Sequence, residues 1–130
     1  MIQKVFAWFR RKREERLTAL AFERAVVVRF DDAGISSSYP DGTLQTMPWS
    51  KIRRIAIQTN DTGPWGADVW WLLEGDDARC TYPHGATGDP EALAEFPRRF
   101  SGFSHKAVIE AMGFFSNARF ICWETKQARG

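Results

Sequence analysis

At 130 residues the chain has the length of one domain, on the usual scale of about 100–200 residues per domain, and its 44% apolar and 14% aromatic content excludes a disordered chain. The formal net charge of +2 is unevenly spread: residues 1–16 hold six basic and two acidic side chains, which leaves twelve basic and fourteen acidic ones in residues 17–130. A mildly acidic body argues against a general nucleic-acid binder, which spreads positive charge over its main domain to neutralise phosphates.

The first predicted element is a basic amphipathic helix over residues 1–24. No Gly or Pro interrupts Gln3 to Glu23, and Ile2, Val5, Phe6 and Phe9 recur at helical spacing before Leu17 and Leu20 resume the stripe. The period then changes to two. Val26 to Phe30 reads as a strand ending at the turn Asp31-Asp32-Ala33-Gly34, and Ile35 to Tyr39 as its return. Pro40-Asp41-Gly42 supplies a preset φ, an Asx acceptor and a residue tolerant of positive φ, so Thr43 to Pro48 completes a hairpin.

Trp49-Ser50-Lys51 makes a corner into Ile52 to Asn60, where Ile55 and Ile57 face the core and Arg54 and Ala56 face away. After the loop at residues 61–66 comes Asp68 to Glu74, apolar from Val69 to Leu73 and so expected to be central and covered on both faces. Gly75-Asp76-Asp77 turns the chain into Ala78 to Tyr82. Antiparallel strands thus fill residues 25–82. Two short helices follow within 89–113: the first capped by Asp89, with Pro90 in its first turn, and ended or kinked at Pro97; the second capped by Ser104, with Phe103 stapling onto Val108 and Gly113 as its stop. Residues 119–124 form a last strand. The class is α+β in one domain, residues 1–130: a bent antiparallel sheet or partial barrel of about six to seven strands, an N-terminal helix and two short C-terminal helices.

Catalysis finds little foothold. His84 and His105 lie in no recognisable motif, and there is no GxSxG, HExxH or phosphate-binding loop, so no catalytic residue is assigned. The pairs Asp31-Asp32 and Asp76-Asp77 suit hard cations but stand where hairpin turns need Asp, and neither a metal nor a cofactor is expected. Cys80 and Cys122 read as small buried thiols, able to form a disulfide only if their strands are neighbours.

Three surfaces remain as binding candidates. Trp8 beside Arg10, Arg11 and Arg13 suits an anionic membrane surface, or else the helix packs on the body or pairs with its copy in a homodimer. Trp65, at the tip of a Gly/Pro loop, suits a partner anchor. Arg98 and Arg99, with Lys51, Arg53, Arg54 and Lys106, form an anion or acidic-protein site if they converge. Met1 to Leu20 lacks the apolar run of a signal peptide and is too charged to span a bilayer, so the expected location is cytoplasmic, including the inner membrane face.

The run Phe30-Asp31-Asp32-Ala33-Gly34-Ile35, the Asp41-Gly42 turn and Met47-Pro48-Trp49-Ser50-Lys51-Ile52-Arg53-Arg54-Ile55 resemble bacterial PH-like domains over about residues 25–82. That resemblance implies a strongly bent antiparallel sheet closed at one end by a helix, and a role in binding proteins or membrane surfaces. The expected function is a non-catalytic module engaging a protein partner, as an adaptor or immunity-type protein does. The alternative is a peripheral membrane protein held by the basic helix, with a small enzyme third.

Overall fold

The computed structural model describes residues 20–60, 69–114 and 116–126, so the predicted helix up to residue 19 and the loop at 61–68 lie outside the described residues. Residues 20–25 are helical, α1. Three strands follow, β1 (Val27–Phe30), β2 (Gly34–Ser38) and β3 (Leu44–Pro48), then a 3-10 turn at Trp49–Lys51, β4 (Arg54–Thr59), β5 (Val69–Glu74) and β6 (Arg79–Pro83). Helices α2 (Asp89–Arg99) and α3 (His105–Met112) precede the last strand, β7 (Ala118–Glu124). The class is α+β, with the strands in two antiparallel sheets ordered β1-β2-β3 and β6-β5-β4-β7. No described helix is long and apolar enough to cross a membrane.

The turns form where their chemistry requires. The Asp31 carboxylate accepts the amides of Ala33 and Gly34 at 2.8 and 3.1 Å, which closes the β1–β2 turn. In the next turn Asp41 accepts the Thr43 amide at 2.9 Å, and Gly42 takes the left-handed φ of 93° that a side chain would resist. In β4, Ile55 and Ile57 are buried as their alternation predicts. Ala56 on the opposite face is buried too, because its cross-strand partners Leu72 and Ile121 flank a single methyl. In β5 the expectation of full cover on both faces is corrected: Trp71 and Leu73 are fully buried, whereas Trp70 and Leu72 are half-buried.

The two sheets meet where β3 passes β6, and side chains replace the missing backbone ladder. Gln45 Oε1 accepts the Thr81 amide at 2.7 Å and the Thr81 hydroxyl at 3.1 Å, while the Tyr39 hydroxyl donates to the Thr81 carbonyl at 2.6 Å. Both outward backbone groups of Thr81 are therefore satisfied from the neighbouring sheet, as buried peptide groups require. Ser37 and Cys80 complete the seam, with the Cys80 thiol 3.4 Å from the Ser37 hydroxyl.

Helix α2 closes the core with an aromatic cluster. Ala92 and Phe96 share its buried stripe, and the Phe96 ring lies 5.6 Å from Trp71, 5.7 Å from Phe103 and 6.5 Å from Trp49. Phe100 extends the cluster to Trp123 at 4.6 Å. Two sequence expectations for this helix are corrected. It runs past Pro97 to Arg99, since burial of Phe96 and Phe100 on either side, and the Phe100 amide bond to the Phe96 carbonyl at 2.8 Å, outweigh the hydrogen bond that proline forfeits. Asp89 is its first residue rather than its cap. The cap is Gly88, at φ 90°, where a Cβ would overlap the Val28 carbonyl oxygen.

Helix α3 opens as predicted, with the Ser104 hydroxyl accepting the Ala107 amide at 3.1 Å. Gly113 ends it at φ −97°, without a left-handed cap. The last strand joins the second sheet beside β4, with a bulge between Ile55 and Ala56.

Replacing Gln45 with Met keeps the length of the side chain but leaves the Thr81 amide without an acceptor. The expected cost is about 1–3 kcal/mol, against about 0.5–1.5 kcal/mol for Tyr39→Phe, both measured by urea unfolding.

Candidate functional site

Of the two charged candidates at the end of α2, Arg99 is held inward by the fold. Arg99 stacks over the Trp49 ring with its guanidinium carbon 4.5 Å from the centroid, donates from Nε to Glu95 at 2.8 Å, and reaches the Asp32 carboxylate at 3.4 Å. Trp49 is itself anchored by its indole N–H on the Asp31 carbonyl at 2.7 Å. Arg99 thus ties α2 to the β1–β2 turn, and cation–π contact of this kind contributes about 0.5–2 kcal/mol. Arg98 is exposed and meets Glu95 at 3.5 Å.

Three of the other basic residues considered with them are also matched to carboxylates, Arg53 to Asp76 at 3.1 Å, Arg54 to Glu124 at 3.2 Å and Lys106 to Glu110 at 3.9 Å, while Lys51 is exposed. Among the described residues these three pairings hold their basic groups to separate carboxylates rather than to one common point. The acidic pairs serve turns and ion pairs, with Asp31 closing a turn, Asp32 meeting Arg99 and Asp76 meeting Arg53. Among the described residues no group of three His, Cys, Asp or Glu is placed to hold a metal ion. Trp8, Arg10, Arg11, Arg13 and Trp65 lie outside the described residues.

Both cysteines are buried free thiols. They sit on β6 and β7, the two ends of the order β6-β5-β4-β7. At about 4.8 Å per strand the strands are about 14 Å apart, twice the reach of a disulfide. Burial pushes the Cys122 thiol up to about 12 and raises Cys80 as well.

His84 and Asp89 form a dyad that reading them separately had missed. Asp89 is only 2% exposed. Its Oδ2 accepts the Gly85 amide at 2.9 Å and lies 3.0 Å from His84 Nδ1. The hydrogen bond to Asp89 raises the His84 pKa against the opposing effect of burial. Tyr82 lies beside this pair with its hydroxyl buried and unpartnered, held well above the ordinary tyrosine range by burial and then by the Asp89 charge. A carboxylate-oriented histidine is the geometry of a general base. Among the described residues, however, its hydrogen-bond partners are Asp89 and the Trp71 indole, and neither is a hydroxyl or thiol that it could activate. His105 packs edge-on against Phe103 at 5.6 Å.

Two surface features complete the described candidates. An open groove of about 500 Å³ crosses the first sheet, lined by Arg29, Phe30, Ser36, Thr46 and Pro48 among others, with no histidine or cysteine in its wall. The second is the outer face of α3. Ala107, Val108 and Ala111 turn inward, leaving Ile109 72% exposed and Met112 38% exposed; Phe114, just beyond, is 45% exposed and touches Phe120 at 5.4 Å. The sequence alone did not reveal this face: Val108, Ile109 and Met112, at i, i+1 and i+4, fit a single inward stripe, and only the packing of α3 on β7 and β4 shows which side faces the core.

No protein-family model, curated protein or solved structure matches the chain.

Both thiols are expected to resist a thiol reagent in the native protein near neutral pH and to react within minutes in denaturant, with no intramolecular disulfide after air oxidation. Rapid native labelling of Cys122 would contradict its burial.

Proposed function

We propose that the chain is a non-catalytic module that binds a protein partner through the outer face of α3. One observation carries this reading: Ile109, Met112 and Phe114 are large apolar side chains exposed within six residues, with Ile109 and Met112 one turn apart on the same helix face. Singly exposed apolar residues are ordinary, but a cluster of them marks an interaction surface. Lys106 and Glu110 flank it with opposite charges, a polar rim around an apolar centre. The chemistry selects a partner presenting an apolar groove or helix face edged by both charge signs. An adaptor or immunity-type role is one form of this reading.

The test is capture from cell lysate on immobilised protein, comparing the native chain with Ile109→Glu, Met112→Glu and, as a control on the other sheet, Leu44→Glu, which replaces a residue 63% exposed. All three sites are exposed, so the variants should retain stability within about 0.5 kcal/mol. The α3 variants should lose the partner by roughly tenfold or more, and Leu44→Glu should keep it. Equal capture by all four proteins would remove α3 from the interface.

A second reading rests on the concentration of six basic residues in residues 1–16 around Trp8: attachment to an anionic membrane surface, where each Lys or Arg contributes about 1 kcal/mol. It predicts salt-sensitive binding to phosphatidylserine vesicles that disappears when residues 1–16 are deleted. Binding that survives the deletion rules it out.

A further inference from the structure

His84 Nδ1 stands between two groups that make opposite demands on it. Asp89 Oδ2, at 3.0 Å, requires a donor, while the Trp71 indole N–H, at 3.4 Å, requires an acceptor. One ring nitrogen serves either, never both: protonated it donates, bare it accepts.

We propose that His84 is a proton-operated latch: the imidazolium donates from Nδ1 to Asp89, and loss of that Nδ1 proton to solvent leaves the neutral Nε2–H tautomer, whose bare Nδ1 accepts the Trp71 indole N–H. The latch spans four elements. Trp71 lies in β5, His84 directly follows β6, Asp89 begins α2, and Glu23 of α1 sits against Gly85, where an added Cβ would meet its carboxylate at 3.0 Å. The loop that carries the latch also fastens the start of the first sheet. The Thr87 hydroxyl donates to the Arg24 carbonyl at 2.6 Å, its amide donates to the Val26 carbonyl at 2.9 Å, and its carbonyl accepts the Val28 amide at 2.7 Å. The proton on His84 therefore governs how firmly the junction between α1 and β1 is held to the body. The ring side chain is 41% exposed, so it exchanges protons with solvent directly.

The charges around the ring fix the direction. Asp89 and Glu23 both favour the imidazolium, and the Tyr82 hydroxyl beside Asp89 stays protonated. Asp68, adjacent to Val69, whose carbonyl accepts the His84 amide at 2.8 Å, lies outside the described residues. The folded-state pKa stands above the ordinary value of 6.5. The stabilisation is thus complete below that value and is lost as pH rises through the folded pKa.

The decisive measurement is a nuclear magnetic resonance titration of the full chain between about pH 6 and 8, following the His84 ring carbons, the Trp71 indole N–H and the Gly85 and Thr87 amides. The indole and both amides should move with the midpoint of His84. Glu23→Gln and Asp89→Asn should lower that midpoint, and His84→Gln should abolish the shared transition together with the matching loss of stability at higher pH. A Trp71 indole resonance that stays still while His84 titrates in the native chain overturns the latch. So does a midpoint unmoved by Glu23→Gln and Asp89→Asn together, and the native titration decides the matter even if Asp89→Asn does not fold.

Discussion

The amide oxygen of Gln45 is the contact on which the joining of the two sheets depends. With Tyr39 it substitutes for a strand: one side chain takes the Thr81 amide and the other supplies its carbonyl with a donor. Without them the facing edges of β3 and β6 would each present unpaired peptide groups, the condition that invites foreign strands. A side-chain bridge also holds two strands farther apart than the roughly 4.8 Å of a backbone ladder. The sheets can then splay, and α2 inserts its aromatic rings against Trp71 and Trp49.

Around that frame the charges work locally. Arg99 spends its guanidinium on Trp49, Glu95 and the β1–β2 turn, while Arg53 and Arg54 pair with carboxylates beside their own strand. On α3 the uncovered side chains include the apolar Ile109 and Met112.

Much of this fold was legible because local chemistry determines it. Asp31 and Asp41 announce their turns, Ser104 announces a helix start, and the run from Val69 to Leu73 announces an interior strand. Features set by partners distant in sequence were not legible. Proline rules stop α2 at Pro97, but the burial of Phe96 and Phe100 carries it onward. Asp89 has the composition of a cap, yet its carboxylate turns back to Gly85 and His84. Gln45 reads as an ordinary polar residue in a hairpin until β6 is placed beside it. Of the candidate site residues, the arginines of α2 were found by charge alone, which cannot distinguish a free cation from one already paired.

The position of β7 bears on the order in which the protein can be made. Strand β4 lies inside the second sheet, but one of its two neighbours arrives only with the last strand, through contacts spanning 59 to 70 residues of chain. During synthesis β4 and β5 are complete long before β7 emerges, and for that interval the apolar edge at Ile55 and Ile57 has no strand beside it. Contacts of such long range are slow to close. A nascent chain at this stage is the form of the protein most exposed to aggregation, and the one for which a chaperone's grip would matter most.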